Sequence, residues 1–164
     1  MAFQNLVEIP LNFPGKLYRS PMPYARFDLG GTTFQEYLDA GITTVVMLVQ
    51  EGEDLHHAGR DLKSEYASHD IKVIHYPIRD FDTPEDDTNL KNTLQLVEQR
   101  CQDGERVAVH CFAGRGRTGL FIALMARQAL GLDGHEAIEF VRRYFPAIET
   151  DEQEQLVRDF EPDE

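Results

Sequence analysis

The sequence predicts an α/β fold in which a central, largely parallel sheet is flanked by helices on both faces, within one domain spanning residues 1–164. Three observations carry this. Short β-branched runs alternate with segments of helical period, the pattern of layered α/β proteins. One run, Ile42 to Val49, is continuously apolar, as strands covered on both faces are. The last segments are all helical, so helices gather at the C-terminal end.

The elements follow in order. Lys16 to Ser20 reads as a first strand, after which Pro21 and Pro23 break regular structure. Thr32 or Thr33 can cap a helix that runs to Ala40 and stops at Gly41. The buried strand Ile42 to Val49 comes next, then a surface helix over Asp54 to His69 and a strand over Ile71 to Ile78 that Pro77 helps to end. Arg79 to Asp87 is a polar loop rich in carboxylates. Thr88 can cap a helix that carries Leu90, Leu94, Val97 and Cys101 on one face and ends at Gly104. Arg106 to His110 is a short strand, and Thr118 to Leu130 is apolar enough to be a buried helix. Gly134 to Tyr144 and Thr150 to Phe160 complete the helical end.

Composition narrows the function. A hydrophobic fraction of 41% supports an ordinary core, and a net charge of −13 opposes adhesion to nucleic acid or anionic membrane. Two cysteines, Cys101 and Cys111, make neither a disulfide framework nor a zinc cluster. They fit a reducing, cytoplasmic setting. Met1 to Pro14 has no basic-then-apolar leader pattern, and no apolar run is long enough to span a bilayer. His56 and His57 have no companion at metal-ligand spacing and read as surface residues. No metal or cofactor is expected.

The segment that carries chemistry is His110-Cys111-Phe112-Ala113-Gly114-Arg115-Gly116-Arg117-Thr118-Gly119, which leaves a strand and opens a helix. A helix N-terminus offers unpaired N–H groups and partial positive charge to a phosphate. The glycines let the backbone of Phe112 to Gly116 curl around the anion. Arg117, where the loop returns to the helix, can grip two phosphate oxygens. Cys111, at the other end, is a nucleophile once ionised, and helix N-termini and nearby cations favour the thiolate. The same glycines resemble a dinucleotide fingerprint, but the acid-bearing second strand is missing, and Leu120 and Phe121 stand where a nucleoside-triphosphate loop needs Lys and Ser/Thr.

His-Cys-x5-Arg-Ser/Thr resembles the signature of the protein-tyrosine phosphatase superfamily, and the Ala-Gly-x-Gly-Arg-Thr-Gly version is similar to its dual-specificity and Cdc14-like members. Pro77-Ile78-Arg79-Asp80 before Thr83-Pro84 resembles the family's general-acid loop, and Ala147-Ile148-Glu149-Thr150 leading to Gln153 its water-positioning segment. The resemblance implies two-step hydrolysis through a cysteinyl-phosphate, with Cys111 as nucleophile, Arg117 as clamp and Asp80 as acid, Asp82 being the rival. It implies that Thr118 stabilises the departing thiolate and that His110 orders the loop and favours that thiolate. For Gln153 two readings stand: it orients the attacking water, or it is a solvent-facing helix residue. The missing Lys-Asn-Arg-Tyr segment and the absence of tryptophan favour the compact dual-specificity type.

The expected substrate is phosphotyrosine in a protein or peptide, with phosphoserine and phosphothreonine open, and the expected state is a monomer. Arg115 keeps a rival reading alive, an enzyme for inositol, lipid or sugar phosphates, although Phe112 stands where such enzymes often carry another base. A phosphate-binding module without turnover is the rival from another class, and a thiol enzyme of arsenate-reductase or sulfur-transfer type is a third. Cys101 reads as a small core residue rather than a redox partner.

Overall fold

The computed structural model describes residues 4–162, which form five strands and seven helices. The first three residues of the Met1 to Pro14 stretch lie outside them. The order is β1 (Val7–Ile9), β2 (Lys16–Ser20), α1 (Thr33–Ala40), β3 (Thr44–Met47), α2 (Glu53–Ala58), α3 (Leu62–Ser68), β4 (Lys72–His75), α4 (Asp87–Gln102), β5 (Arg106–His110), α5 (Gly116–Leu130), α6 (Gly134–Arg142) and α7 (Asp151–Asp159).

The strands form one sheet in the order β1-β2-β5-β3-β4, parallel except for the antiparallel edge strand β1. Val107, Ala108 and Val109 in β5 and Val45 and Val46 in β3 are all fully buried, although successive side chains point to opposite faces. Both faces of the sheet are therefore covered. Helices α4 and α5 pack on β5, α3 packs on β4, and α6 and α7 close against α5. Helix α5 is buried on nearly every side from Gly116 to Ala126, which explains its lack of a polar face.

The registers align Ser20 of β2 and Met47 of β3 with His110 of β5. These carboxyl ends of three parallel strands form the edge where open α/β sheets bind ligands. Cys111 follows directly.

Several local expectations change. Asp54 to His69 is two helices, because Gly59 adopts a left-handed turn (φ 68°) and Asp61 caps a new helix by accepting from the Ser64 N–H. Helix α4 is capped by Asp86, whose carboxylate accepts from the N–H groups of Thr88 and Asn89, rather than by Thr88. Helix α5 begins at Gly116, ahead of Thr118, and β4 ends at His75, short of Ile78. Strand β1, three residues long, has too short an alternation to be read from sequence.

Candidate active site

Between β5 and α5 the chain curls through Cys111 to Arg115, and every carbonyl along the curl is held from outside. The Cys111 carbonyl accepts from His110 Nδ1 (2.9 Å) and that of Phe112 from the Met22 N–H (3.0 Å). Arg19 donates to the carbonyls of Ala113 (3.2 Å) and Gly114 (2.7 and 3.1 Å). The Arg115 carbonyl accepts from the N–H groups of Gly119 (2.8 Å) and Ile148 (2.9 Å). In a trans peptide the N–H points opposite the C=O. Carbonyls drawn outward therefore turn the intervening N–H groups toward the inside of the curl, where an anion would sit.

Glycine is required at one point of the loop and closely packed at another. Gly114 has φ 75°, and a Cβ there would lie 2.2 Å from the Ser20 carbonyl oxygen and 2.4 Å from Arg19 Nη2. A Cβ on Gly116 would lie 2.5 Å from Glu149 Oε1. The loop is pressed between the end of β2 on one side and the segment before α7 on the other.

Arg117 is buried, and both of its terminal nitrogens are engaged. Nη1 and Nη2 donate to the two carboxylate oxygens of Glu53 (2.8 and 3.1 Å), Nη1 also donates to the Ile78 carbonyl (3.0 Å), and Nη2 lies 3.2 Å from Asp80 Oδ1. Burial works against this charge, but the Glu53 bonds, with Cys111 and Asp80 nearby, outweigh it and hold the pKa above the ordinary value. Arg117 Nε and Thr118 Oγ1 are buried without a hydrogen-bond partner among the described residues.

The acid loop contrasts its two candidates. Asp80 is half-buried and faces Arg117, while Asp82 is exposed and turns its carboxylate to the Thr83 N–H (2.8 Å). Gln153 is fully buried rather than solvent-facing. It accepts from the N–H groups of Glu149 and Thr150, donates to the Asp82 carbonyl (3.2 Å), and its amide lies against Gly116. A cavity of about 770 Å³ lies on the other side of the acid loop, lined by Tyr76, Pro77, Arg79, Pro84, Asn92 and Leu96 among others. Neither Cys111 nor Arg117 lines it, so this cavity and the cysteine loop are separate features.

Behind the loop lie buried hydroxyls. His110 Nδ1 must donate, because its partner is a carbonyl, so Nε2 accepts from the Tyr66 hydroxyl (3.0 Å). The Tyr37 ring lies 6.2 Å from that of Tyr66, and its hydroxyl meets Ser20 Oγ at 2.5 Å. Burial pushes the His110 pKa down to about 4; the bond to the Cys111 carbonyl opposes this and Arg117 adds to it. His110 is thus a neutral ring that ties the loop to Tyr66 of α3. Burial, with Glu105 and Glu98 nearby, pushes the Cys101 thiol up to about 12, which keeps it protonated in the core.

At the mouth, His57 stacks on Phe112 (3.9 Å between centroids, 14° between planes), and Phe27 meets Phe112 edge-on at 5.2 Å. Arg115 and Arg26 lie 5.3 and 5.7 Å from the Phe27 ring. His57 is therefore a wall of the loop rather than a free surface residue.

The structure brings Cys111, Arg117, Asp80, Thr118, Gln153 and His110 together around the curl formed by Phe112, Ala113, Gly114, Arg115 and Gly116. Arg115 alone among the loop side chains is exposed. Sequence reasoning missed Arg19, Glu53, His57 and the Tyr37–Tyr66 pair. Their only signal is proximity after folding; Glu53, 64 positions from Arg117, reads as one more acid in an acidic run.

Known proteins resemble this chain in sequence and in fold. The family model described as "Polymorphic toxin system, DSP-PTPase phosphatase" matches residues 24–129. An uncharacterized protein of Methanocaldococcus jannaschii is 35% identical over 94 residues, covering 55% of this chain and 60% of that protein. Protein tyrosine phosphatase PRL-1 of Trypanosoma cruzi is 30% identical over 108 residues, covering 63% of this chain and 61% of that protein. The chain thus spans about 60% of the length of these relatives. Among solved structures, kinase associated phosphatase with its catalytic site cysteine changed to serine superposes with a TM-score of 0.83 at 21% identity, covering 94% of this chain and 92% of that one. PTPMT1 in complex with PI(5)P superposes with a TM-score of 0.76 at 18% identity, covering 95% and 94%.

Proposed function

Because the chain belongs to the dual-specificity and protein-tyrosine phosphatase family, we propose that it hydrolyses phosphotyrosine in proteins or peptides through a cysteinyl-phosphate on Cys111. The observation that carries this is the convergence of Cys111, the outward-held loop and Asp80, whose carboxylate is 3.2 Å from the Arg117 clamp.

In the first step the Cys111 thiolate attacks phosphorus, the bond from phosphorus to the substrate oxygen breaks, and Asp80 gives its proton to the departing phenolate. The inward N–H groups and Arg117 stabilise the charge on the transferring phosphoryl oxygens. In the second step Asp80 takes a proton from water, the water oxygen attacks phosphorus, and the P–S bond breaks to release inorganic phosphate and thiolate. Gln153 orients that water; its burial beside Gly116 and its bond to the Asp82 carbonyl support the role. The buried, unpartnered Thr118 hydroxyl supports its role as donor to the leaving thiolate. His110 serves as a neutral brace on the Cys111 carbonyl.

Aromatic groups at the mouth favour an aryl ester. Phe81, next to Asp80, is 60% exposed and adopts a left-handed backbone (φ 62°) that large side chains rarely hold. With Phe112 and Phe27 it offers apolar surface to a phenyl ring.

A second reading has its own support. Arg26 and Arg115 are exposed cations flanking Phe27, and the fold is shared with a protein solved in complex with PI(5)P. Relative kcat/KM over phosphotyrosine peptides, phosphoserine peptides, inositol phosphates and sugar phosphates decides between them. Phosphotyrosine peptides rank first on the main reading, and inositol phosphates ranking first would replace it.

A further inference from the structure

Arg19 leaves the middle of the sheet at the carboxyl end of β2 and is 9% exposed. A buried cation is costly unless charge or hydrogen bonds offset its lost hydration. No carboxylate pairs with it among the described residues. Its guanidinium makes four hydrogen bonds, to the carbonyls of Asn5, Ala113 and Gly114, and lies 5.0 Å from the Phe145 ring. Two of these carbonyls belong to the reactive loop, and Gly114 is so close that only a hydrogen fits between them. Cys111 and Tyr37 are the acidic groups within electrostatic reach of it.

We propose that Arg19 is the second cation of the phosphate site, a positioning residue that acts from beneath the loop. Its fork holds the Ala113 and Gly114 carbonyls outward, which aims the Gly114 and Arg115 N–H groups at the anion. Its charge is balanced by the Cys111 thiolate and, in the complex, by the bound phosphate. This rests on the phosphatase reading of the site and adds a residue to it.

Burial draws the Arg19 pKa down to about 10, with Cys111 and Tyr37 pulling it up and Arg115 pushing it lower, so the cation persists at neutral pH. The other charged or titratable groups that face Cys111 and His110 are Arg115 and Arg117 in the loop, Tyr37 from α1, Glu53 and Asp54 from α2, Tyr66 from α3, Asp80 from the acid loop and Glu149 before α7. Arg117 is already neutralised by Glu53 and Asp80. Arg19 is not, which leaves its charge free to act on the thiolate.

The test uses the full chain and two variants. Arg19→Met removes charge and fork; Arg19→Lys keeps charge but cannot span two carbonyls. Cys111 is alkylated with iodoacetamide across pH 5–9, and inorganic phosphate is titrated calorimetrically at pH 7. In Arg19→Met the midpoint of the alkylation profile rises by about one pH unit, which is about tenfold in thiolate fraction on the acid side, and phosphate binds at least about tenfold more weakly. In Arg19→Lys the midpoint stays near that of the unmodified chain while phosphate binding still weakens. A staple that merely supports the fold lowers Tm in both variants and moves neither readout; that result overturns the proposal. If Arg19→Met does not fold, Arg19→Lys with unchanged phosphate affinity overturns it alone. An unmodified chain that neither binds phosphate nor turns over aryl phosphates refutes the phosphatase reading, a different outcome from either variant result.

Discussion

The cysteine loop and the acid loop face each other across Arg117 and are built on opposite terms. From Cys111 to Arg115 each carbonyl has a named partner drawn from β2, the segment after it, β5, α5 or the segment before α7. From Arg79 to Asp86 the chain is mostly exposed and is tied down by few bonds, chiefly Asp80 to Arg117, the Asp82 carbonyl to Gln153 and the Asp82 N–H to the Arg79 carbonyl. The difference fits what each must do in the proposed reaction. Donors that stabilise charge are effective when fixed beforehand, because nothing then has to reorganise during reaction. An acid that must meet a substrate and then water needs freedom to open and close.

The sharpest break of this comparison removes the nucleophile alone. Cys111→Ser lowers kcat by about 10⁵ or more yet keeps its inorganic phosphate affinity in calorimetric titration, because the fixed loop is intact. Arg117→Ala loses both. Turnover in Cys111→Ser within tenfold of the unmodified chain rejects the assignment.

Next comes the exposed partner. Asp80→Asn slows phosphotyrosine hydrolysis by about 10²–10⁴, with a much smaller loss for aryl phosphates whose leaving groups depart unaided. Asp82→Asn shows neither effect. A rate series over aryl phosphates of graded leaving-group acidity, run on both variants, checks the choice; a steeper dependence in Asp82→Asn reverses it.

A third experiment loosens the fixed loop without touching a reactive group. In Gly114→Ala the new Cβ collides with the Ser20 carbonyl oxygen, so the loop moves and its N–H groups lose their aim. The expected loss is about 10²–10³ in kcat/KM, the scale of losing a preorganised donor, for activated and unactivated substrates alike. A loss that depends on the leaving group points instead to the acid loop.

The smallest effect is on stability. The folded His110 titrates at about 4 against about 6.5 unfolded. Between these values the unfolded chain takes up a proton that the folded chain refuses. The contribution is therefore fully present above about pH 6.5 and lost as pH falls toward 4, up to about 3 kcal/mol. Urea midpoints at pH 7 and 4.5 check this: His110→Gln loses less stability on acidification than the unmodified chain. Equal losses in both mean that His110 does not resist protonation.

The alternation of elements and the strand-loop-helix unit around Cys111 were legible because local pattern encodes them: a β-branched run, glycines at the turn, an apolar helix. The break between α2 and α3 was not, since Gly59 and Asp61 interrupt a stretch whose polarity suits a helix throughout. Asp86 displaced Thr88 as cap because several neighbouring residues could serve and packing chose among them. Arg19 and Glu53 were invisible for a deeper reason. Each looks like an ordinary surface charge, and only the parallel register of β2 and β3 with β5 carries them to the loop.

The buried hydroxyls behind the loop have a consequence for reading kinetics. With a proton on His110 Nδ1, the Tyr66 hydroxyl donates to Nε2, while Ser20 gives its proton to the Pro21 carbonyl and accepts from Tyr37. To protonate the ring, Tyr66 would have to turn its hydroxyl away from Nε2 inside a fully buried site. The imidazole is thereby insulated from the solution, and a bend in a rate profile between pH 5 and 7 cannot be credited to it. Such a bend reports the thiol, the acid loop or the substrate's own phosphate, and comparing substrates of different phosphate acidity separates the last of these from the other two.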